Sequence, residues 1–470
     1  MKGWKNLGIR RFGRIVGHSF NSILEVIVIS EIFHIFAPMT MKKMNLKLYI
    51  LWWMLAVCCI FPLEAQEQEE PALQEETDTA EVYLPSDSLF ARFLENKHIP
   101  ITSCNRMTLL KSGRSKFEHL FEDIKKAEKY IHLEYFNFRS DSIAKELFTL
   151  LAEKAKEGVV IKALFDDFGN LSNSRPLRKE HLKMLADRGI EMARFSPIRF
   201  PYVNHVFCRD HQKIVVIDGK VGYTGGMNIA DYYINGLPGI GAWRDMHIRI
   251  EGPAVKYLEE AFLGVWNKET HEGLEESAVV PDSFCVGSGR RVAIVQRIPK
   301  VCPEIMREAY ITALDAAEHK VQIINPYFTP TRKVRNAIKR AAKRGVRVEI
   351  MIPGKSDISF TPDAGFYIAN KLRKSGAHIY VFNGGFHHSK IMMVDERFCT
   401  VGSTNLNSRS LRYDYEINAF ILDLPTTAEL GEVFRNDKLN STVMTREEYR
   451  KRGVWRRFVG WFAHLFTPVI

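Results

Sequence analysis

Two histidines 177 residues apart carry the same surroundings. Around the first the chain reads His211-Gln-Lys213-Ile-Val-Val-Ile-Asp218, and six residues further on Gly225-Gly226-Met227-Asn228. Around the second it reads His388-Ser-Lys390-Ile-Met-Met-Val-Asp395, and then Gly402-Ser403-Thr404-Asn405. Cleaving a phosphodiester needs a nucleophile for phosphorus, an acid for the departing alkoxide and cations for the non-bridging oxygens. Two His, two Lys and two Asn supply that set without a metal. Imidazole titrates near about 6.5, so one ring can be neutral while the other carries a proton. A covalent intermediate splits one hard displacement into two easier ones. The ammonium and amide groups stabilise the charge of the five-coordinate state. His211, Lys213, Asn228, His388, Lys390 and Asn405 are therefore the candidate catalytic residues.

A single His-x-Lys pair is an everyday surface feature, but the whole pattern H-x-K-x4-D-x6-G-[GS]-x-N occurring twice is not. An apolar run follows the lysine in both copies. Side chains alternate along a strand, so a histidine and a lysine two apart share a face. His387, one residue out of that register, is expected on the opposite face.

The elements that must position these residues repeat too. In the first copy an apolar, β-rich run (127–136) precedes a helical stretch (141–156), then Gly158 and the strand 159–165. In the second, 317–328 leads into a basic helix (332–343), Gly345 and the strand 346–352. Strand, helix, glycine, strand is a βαβ unit, with each glycine placed as a helix C-cap. Strands so uniformly apolar belong to a parallel or mixed sheet covered by helices. The reading is two α/β domains of similar plan, split near residues 268–290.

At 470 residues the chain has room for two or three domains. Of its formal net charge of +11, +6 falls in residues 1–47 and −8 in 64–83, which leaves +13 on the remainder. A basic body suits an anionic partner, lipid or nucleic acid, without choosing between them. The seven cysteines show no CxxC pair or other ligand spacing, so neither a disulfide framework nor zinc is expected.

The doubled motif resembles the signature of the phospholipase D superfamily. That resemblance implies a pseudo-symmetric fold of two α/β domains with mixed sheets covered by helices, and an active site at their interface. It implies a phosphohistidine intermediate on His211, with His388 as acid and then base, and no cofactor or metal. Asp218 and Asp395 take supporting, structural places. Acidic partners for the imidazoles come later in each repeat, where Asp245 and Glu416 stand.

Further segments are similar to bacterial cardiolipin synthases: Gly225–Ile229, Trp243–Pro253, Pro353–Asp357, Gly402–Ser410 and the stretch from Thr445 to Pro468. The similarity departs at Asn407, where an Asp is commoner, and at the N-terminus, which is not a clean pair of membrane spans. It implies a phosphatidyltransferase that converts two phosphatidylglycerol into cardiolipin and glycerol. The implied partners are phosphatidylglycerol, anionic membrane lipid and the membrane surface, with no nucleic acid and no protein partner. If water replaces the lipid alcohol, the reading becomes a phospholipase D-type hydrolase or an exported nuclease. A non-catalytic membrane-tethered protein would show decay of one motif, and both are intact.

The basic segment 41–47, the uncharged run 48–63 and Glu64-Ala65-Gln66 have the order of a secretory signal or signal anchor. A second apolar stretch, 20–39, is interrupted by Glu25, Glu31 and His34. The favoured reading starts the chain at Met41 or Met44, with one crossing that places the catalytic body outside the cytoplasm of a bacterial cell. A membrane hairpin is the competing one. The expected organisation is a membrane-targeting region (1–65), an acidic linker (66–100), catalytic domains at 101–275 and 285–440, and a basic amphipathic tail (445–470). In the tail, Trp455, Phe458, Val459, Phe462 and Phe466 recur at helical spacing behind a capping-box pattern at Thr445 and Glu448. Gly453 and Gly460 weaken that helix.

Overall fold

The computed structural model describes residues 85–200, 208–275, 289–358 and 361–467. The expected membrane-targeting region, most of the acidic linker and the last three residues of the tail lie outside these. The chain divides into two units, 1–81 and 82–470, and the fold below belongs to the second. Among the described residues no helix is long and apolar enough to cross a membrane.

The first half carries β1 (Thr102–Leu110), β2 (Tyr130–Tyr135), β3 (Val160–Asp166), β4 (Ile190–Phe195), β5 (Lys213–Ile217), β6 (Val221–Gly225), β7 (Trp243–Arg244) and β8 (His247–Glu251). The second carries β9 (Arg290–Arg297), β10 (Lys320–Ile324), β11 (Arg347–Pro353), β12 (His378–Phe382), β13 (Phe386–His387), β14 (Ile391–Val394), β15 (Phe398–Gly402), β16 (Glu416–Leu422) and β17 (Ser441–Val443). Fifteen of these form one mixed sheet in the order β17-β12-β11-β10-β14-β15-β16-β9-β1-β8-β6-β5-β2-β3-β4. Outward from the central antiparallel contact of β9 with β1, each half runs through the same seven places. Only β17 lacks a counterpart.

The repeated βαβ units lie where the sequence places them. β2 pairs parallel with β3, and β10 with β11, through the helices Ser142–Lys156 and Arg332–Lys343. Gly158 and Gly345 follow those helices at φ +95° and +92°, the left-handed turn that glycine adopts without a Cβ clash. Alternation along the central strands fills the layers on either side. Val215 and Ile217 enter a core of the first half, and Met392 and Val394 a core of the second. Ile214, Val216, Ile391 and Met393 enter a third core that spans both halves.

Residues 86–96, inside the stretch read as an acidic linker, form a helix whose Phe90 stacks 4.7 Å from Phe398 in the second half's core. The acidic run ends at Glu81, and the apolar spacing of Phe90 and Leu94 suffices to dock the helix. The expectation of no disulfide is corrected at Cys104, which is disulfide-bonded to a partner outside the described residues. A pairing distant in sequence leaves no spacing signature to read. Cys208, Cys302 and Cys399 are free.

The two motif aspartates hold the hairpins β5–β6 and β14–β15 to the sheet. Asp218 adopts φ +53° and its carboxylate accepts from the backbone N–H groups of Glu128, Lys129 and Tyr130 at 2.8–2.9 Å. Asp395, at φ +50°, does the same for Glu318, His319 and Lys320 at 2.7–2.8 Å. Each thereby fixes the turn after the motif against the start of the central strand. Asp395→Ala leaves three donors without an ionised acceptor and is expected to cost on the order of 2–4 kcal/mol, read as a lower denaturant midpoint. An unchanged midpoint would remove this structural role.

Candidate active site

His211 and His388 each sit just before a central strand, β5 and β14, and each is held by the opposite half of the molecule. The backbone does this first. The N–H of His211 donates to Tyr415 O (3.0 Å), and Tyr415 N–H donates back to Arg209 O (2.8 Å). On the other side β13 pairs with β7, and His388 N–H donates to Arg244 O at 2.7 Å. This approach needs a glycine beforehand. Gly385 has φ +117°, and a Cβ there would lie 2.2 Å from Ala242 O.

Each short ladder brings in a carboxylate. His211 Nδ1 lies 3.0 Å from Glu416 Oε1, and His388 Nδ1 lies 2.7 Å from Asp245 Oδ2. The acids do come late in each repeat, but each serves the histidine of the other repeat. An ionised carboxylate only accepts, so each of these contacts places the ring proton on Nδ1 and leaves Nε2 the unprotonated nitrogen. The two acids are seated differently. Asp245 packs against Gly226, where a Cβ would come within 2.3 Å of Oδ1. Glu416, one methylene longer, takes a hydrogen bond from the Ser403 hydroxyl at the equivalent place.

Lys213 and Lys390 are fully buried beside their histidines and donate to the carbonyls of His211 and His388, both at 2.6 Å. Lys390 Nζ also lies against the His388 ring, 2.8 Å from Nδ1 and 3.0 Å from Nε2. Asn228 and Asn405 follow the glycine turns and are nearly buried, each with a side-chain carbonyl oxygen lacking a partner. Neither amide bonds to an imidazole. Their backbones are fixed by equivalent contacts, Arg139 N–H to Ile229 O (3.0 Å) and Thr329 N–H to Leu406 O (2.9 Å). Asp218 and Asp395 stand at the far ends of β5 and β14, away from the rings. His387 points elsewhere, with Nε2 2.9 Å from Asp437. Asn407 caps the helix Ser408–Arg412 by accepting from Ser410 N–H at 2.8 Å, a task Asp and Asn perform alike. The departure there leaves the cap intact.

Several neighbours were not legible beforehand. Trp243, Phe386 and Tyr327 surround His388 with ring centroids 5.4–5.8 Å away, and Phe136 lies 5.3 Å from His211. Lys116, fully buried, sits over Phe117 and Tyr135 and feels the charge of Asp245. Aromatic and lysine side chains carry no sign in sequence of which cavity they enter. Ser403 did have a signal, as the variable place in the repeated motif.

The electrostatics differ from the one-neutral, one-charged pair expected from free imidazoles. Burial, then the Lys213 charge, lowers His211 to about 4 against the pull of Glu416. Burial and Lys390 hold His388 well below its ordinary value. Both rings are therefore neutral near pH 7. Burial also lowers Lys213 to about 8 and Lys390 to about 7, and raises Asp245 to about 6. Glu416, although buried, is kept below its usual value by His211, Lys213 and Ser403. Among the described residues no cluster of three or more His, Cys, Asp or Glu is placed to hold a metal ion.

The family model for the cardiolipin synthase, PLD-like domain, matches residues 120–266 and 310–438, one match for each half. The chain belongs to this family. Its relatives include the major cardiolipin synthase ClsA of Bacillus subtilis, 35% identical over 81% of this chain and 79% of that protein. Cardiolipin synthase 2 of Staphylococcus epidermidis is 37% identical over 80% of this chain and 77% of its own length. The crystal structure of phosphatidylserine synthase from Haemophilus influenzae aligns with a TM-score of 0.62 at 16% identity, over 82% of this chain and 100% of that one. That likeness establishes the fold alone. Family membership makes the chain a phosphatidyltransferase.

The shifted groups set a pH dependence. Protonation of His211 below about pH 4 would occupy the free lone pair of its ring, and loss of the Lys390 proton above about pH 7 would remove a buried cation from the site. kcat/KM, which reports the free enzyme, is expected to be bell-shaped between those limits. A profile still rising on the alkaline side would contradict this assignment.

Proposed function

We propose that this chain transfers the phosphatidyl group of one phosphatidylglycerol to the glycerol hydroxyl of a second, making cardiolipin and free glycerol. The observation that carries the reading is the pair of imidazoles, each held at Nδ1 by a carboxylate of the other half, with two buried ammonium groups beside them. In the first step His211 Nε2 attacks phosphorus, the bond from phosphorus to the headgroup oxygen breaks, and His388 delivers a proton to that oxygen. In the second, His388 takes the proton of the incoming hydroxyl, its oxygen attacks phosphorus, and the phosphorus–nitrogen bond breaks. His388 must be protonated for the first step although its surroundings depress it. The diester anion supplies the remedy, because its negative charge offsets the field of Lys390 and Lys213, which adds to burial in holding the ring neutral. Asn228 and Asn405 serve as donors to the non-bridging oxygens, and Asp218 and Asp395 keep the structural role described above.

A transferase must favour a lipid hydroxyl over water, which is far more abundant. Holding the acceptor at the membrane face provides this through positioning, worth several kcal/mol or about 7–11 at best. The tail supports such a placement. Its helices, Arg446–Lys451 and Gly453–Ala463, are separated by Arg452, and the second begins at Gly453 with φ +72°. Gly460 seats the second helix on the body, since a Cβ there would lie 2.4 Å from Asp363 O. Val454, Trp455, Phe458, Trp461 and Leu465 remain exposed, whereas Val459, Phe462 and Phe466 of the expected stripe are half-buried against the body. Arg456 and Arg457 flank them, as in an interfacial helix on anionic lipid. The family's relatives are bacterial, and we place the body at the cell membrane on its outer side. The disulfide at Cys104 supports an oxidising compartment, as does the positive charge before residue 48.

Purified full-length protein on phosphatidylglycerol vesicles is expected to give cardiolipin and glycerol in equal amounts, with little phosphatidic acid. His211→Ala and His388→Ala each lower turnover at least 10²-fold, about what a lost acid–base group costs. Dominant phosphatidic acid, or faster cleavage of single-stranded DNA, would sink the transferase reading. Protease added to spheroplasts is expected to digest the body, and protection would reverse the proposed orientation.

A further inference from the structure

The basic helix Arg332–Lys343 takes no part in the chemistry above, yet the cations on it and just after it differ in their surroundings. Arg340 and Arg344 reach Asp315 at 2.6 and 3.7 Å. Arg332, Arg335 and Lys339 instead line a cavity of about 290 Å³, and Lys371 joins them from the facing helix Thr361–Arg373. None of these four has an acidic partner among the described residues, and no acid lines the cavity. Burial and the charge of Arg332 both press Arg335 below its ordinary value, a strain that a bound anion would relieve. Ile368 and Leu372 make one wall apolar.

The cavity adjoins the tail. Lys371 lies 4.7 Å over the ring of Tyr367, which packs 4.4 Å from His464, and the charges of Lys371 and Arg335 both reach His464. Leu465, next in the chain, and Trp461, one turn earlier, are exposed. Cations around a cavity with exposed apolar side chains beside it match a molecule that is anionic at one end and apolar at the other.

We propose that this cavity binds the phosphate headgroup of an anionic phospholipid in the bilayer, as a second lipid site separate from the His211–His388 centre. It rests on the reading that the body works on a membrane. Occupation anchors the tail helix where anionic lipid is abundant, so the enzyme is held at the surface independently of the substrate in its active site.

The test places a benzophenone amino acid at Asn336, an exposed residue lining the cavity, in the full-length protein. Photocapture of lipid is expected from phosphatidylcholine vesicles containing phosphatidylglycerol and not from phosphatidylcholine alone. Lys339→Gln with Lys371→Gln is expected to lower capture about fivefold for each charge removed, while transfer on monomeric short-chain phosphatidylglycerol stays unchanged. Should that pair fail to fold, Arg332→Gln, at an exposed position, carries the same expectation. Equal capture from phosphatidylcholine, capture insensitive to these substitutions, or displacement of the lipid by inorganic phosphate would overturn the proposal. Capture is read without turnover, so a failed transferase reading shows separately, as absent His211-dependent cardiolipin.

Discussion

The rest of the structure depends on the exchange of carboxylates between the halves. His211 takes its Nδ1 partner from Glu416, and His388 takes its partner from Asp245. Backbone bonds beside each pair, Tyr415 with Arg209 and His211, and Arg244 with His388, fix the two chains before the side chains meet. Neither half can orient its own imidazole. The continuous fifteen-stranded sheet and the core shared by both halves follow from this need, because two orienting contacts of under about 3 Å tolerate little relative motion of their supports.

That arrangement is costly in isolation. Two ammonium groups, two imidazoles and two carboxylates are buried together, and each buried ion loses several kcal/mol of hydration. Mutual compensation keeps them in place: Asp245 and Glu416 support the charge on both lysines, and the lysines in turn stabilise the carboxylates. The result is a site in which two ammonium groups and two carboxylates offset one another and the imidazoles are neutral. On the proposed mechanism, a bound diester anion would add a negative charge that favours protonation of His388.

Much of this was legible in the sequence because the repeat writes it twice. The uniformly apolar runs gave the central strands, the glycines after the helices gave the βαβ boundaries, and the spacing of His, Lys and Asp gave their shared hairpin. The Asp residues read as structural do tie that hairpin to the neighbouring strand. What could not be read was whatever depends on contacts distant in sequence. The exchange of Asp245 and Glu416 across the halves is one example, since their places in the motif are equally consistent with pairing inside each repeat. The disulfide at Cys104, the docking of residues 86–96 and the depressed pKa of both histidines are others. Burial decides the last of these, and no spacing pattern records how deeply a ring is buried.

The exchange is also what a single measurement can test most directly. Nitrogen NMR of labelled histidine reports the Nδ1–H of each ring through its shift and tautomer. In the intact protein both rings are expected to hold the proton on Nδ1. Asp245→Ala should disturb the signal of His388 and leave His211 as it was, whereas Glu416→Ala should disturb His211 and spare His388. The reverse pattern, in which each acid governs the histidine of its own half, would contradict the account.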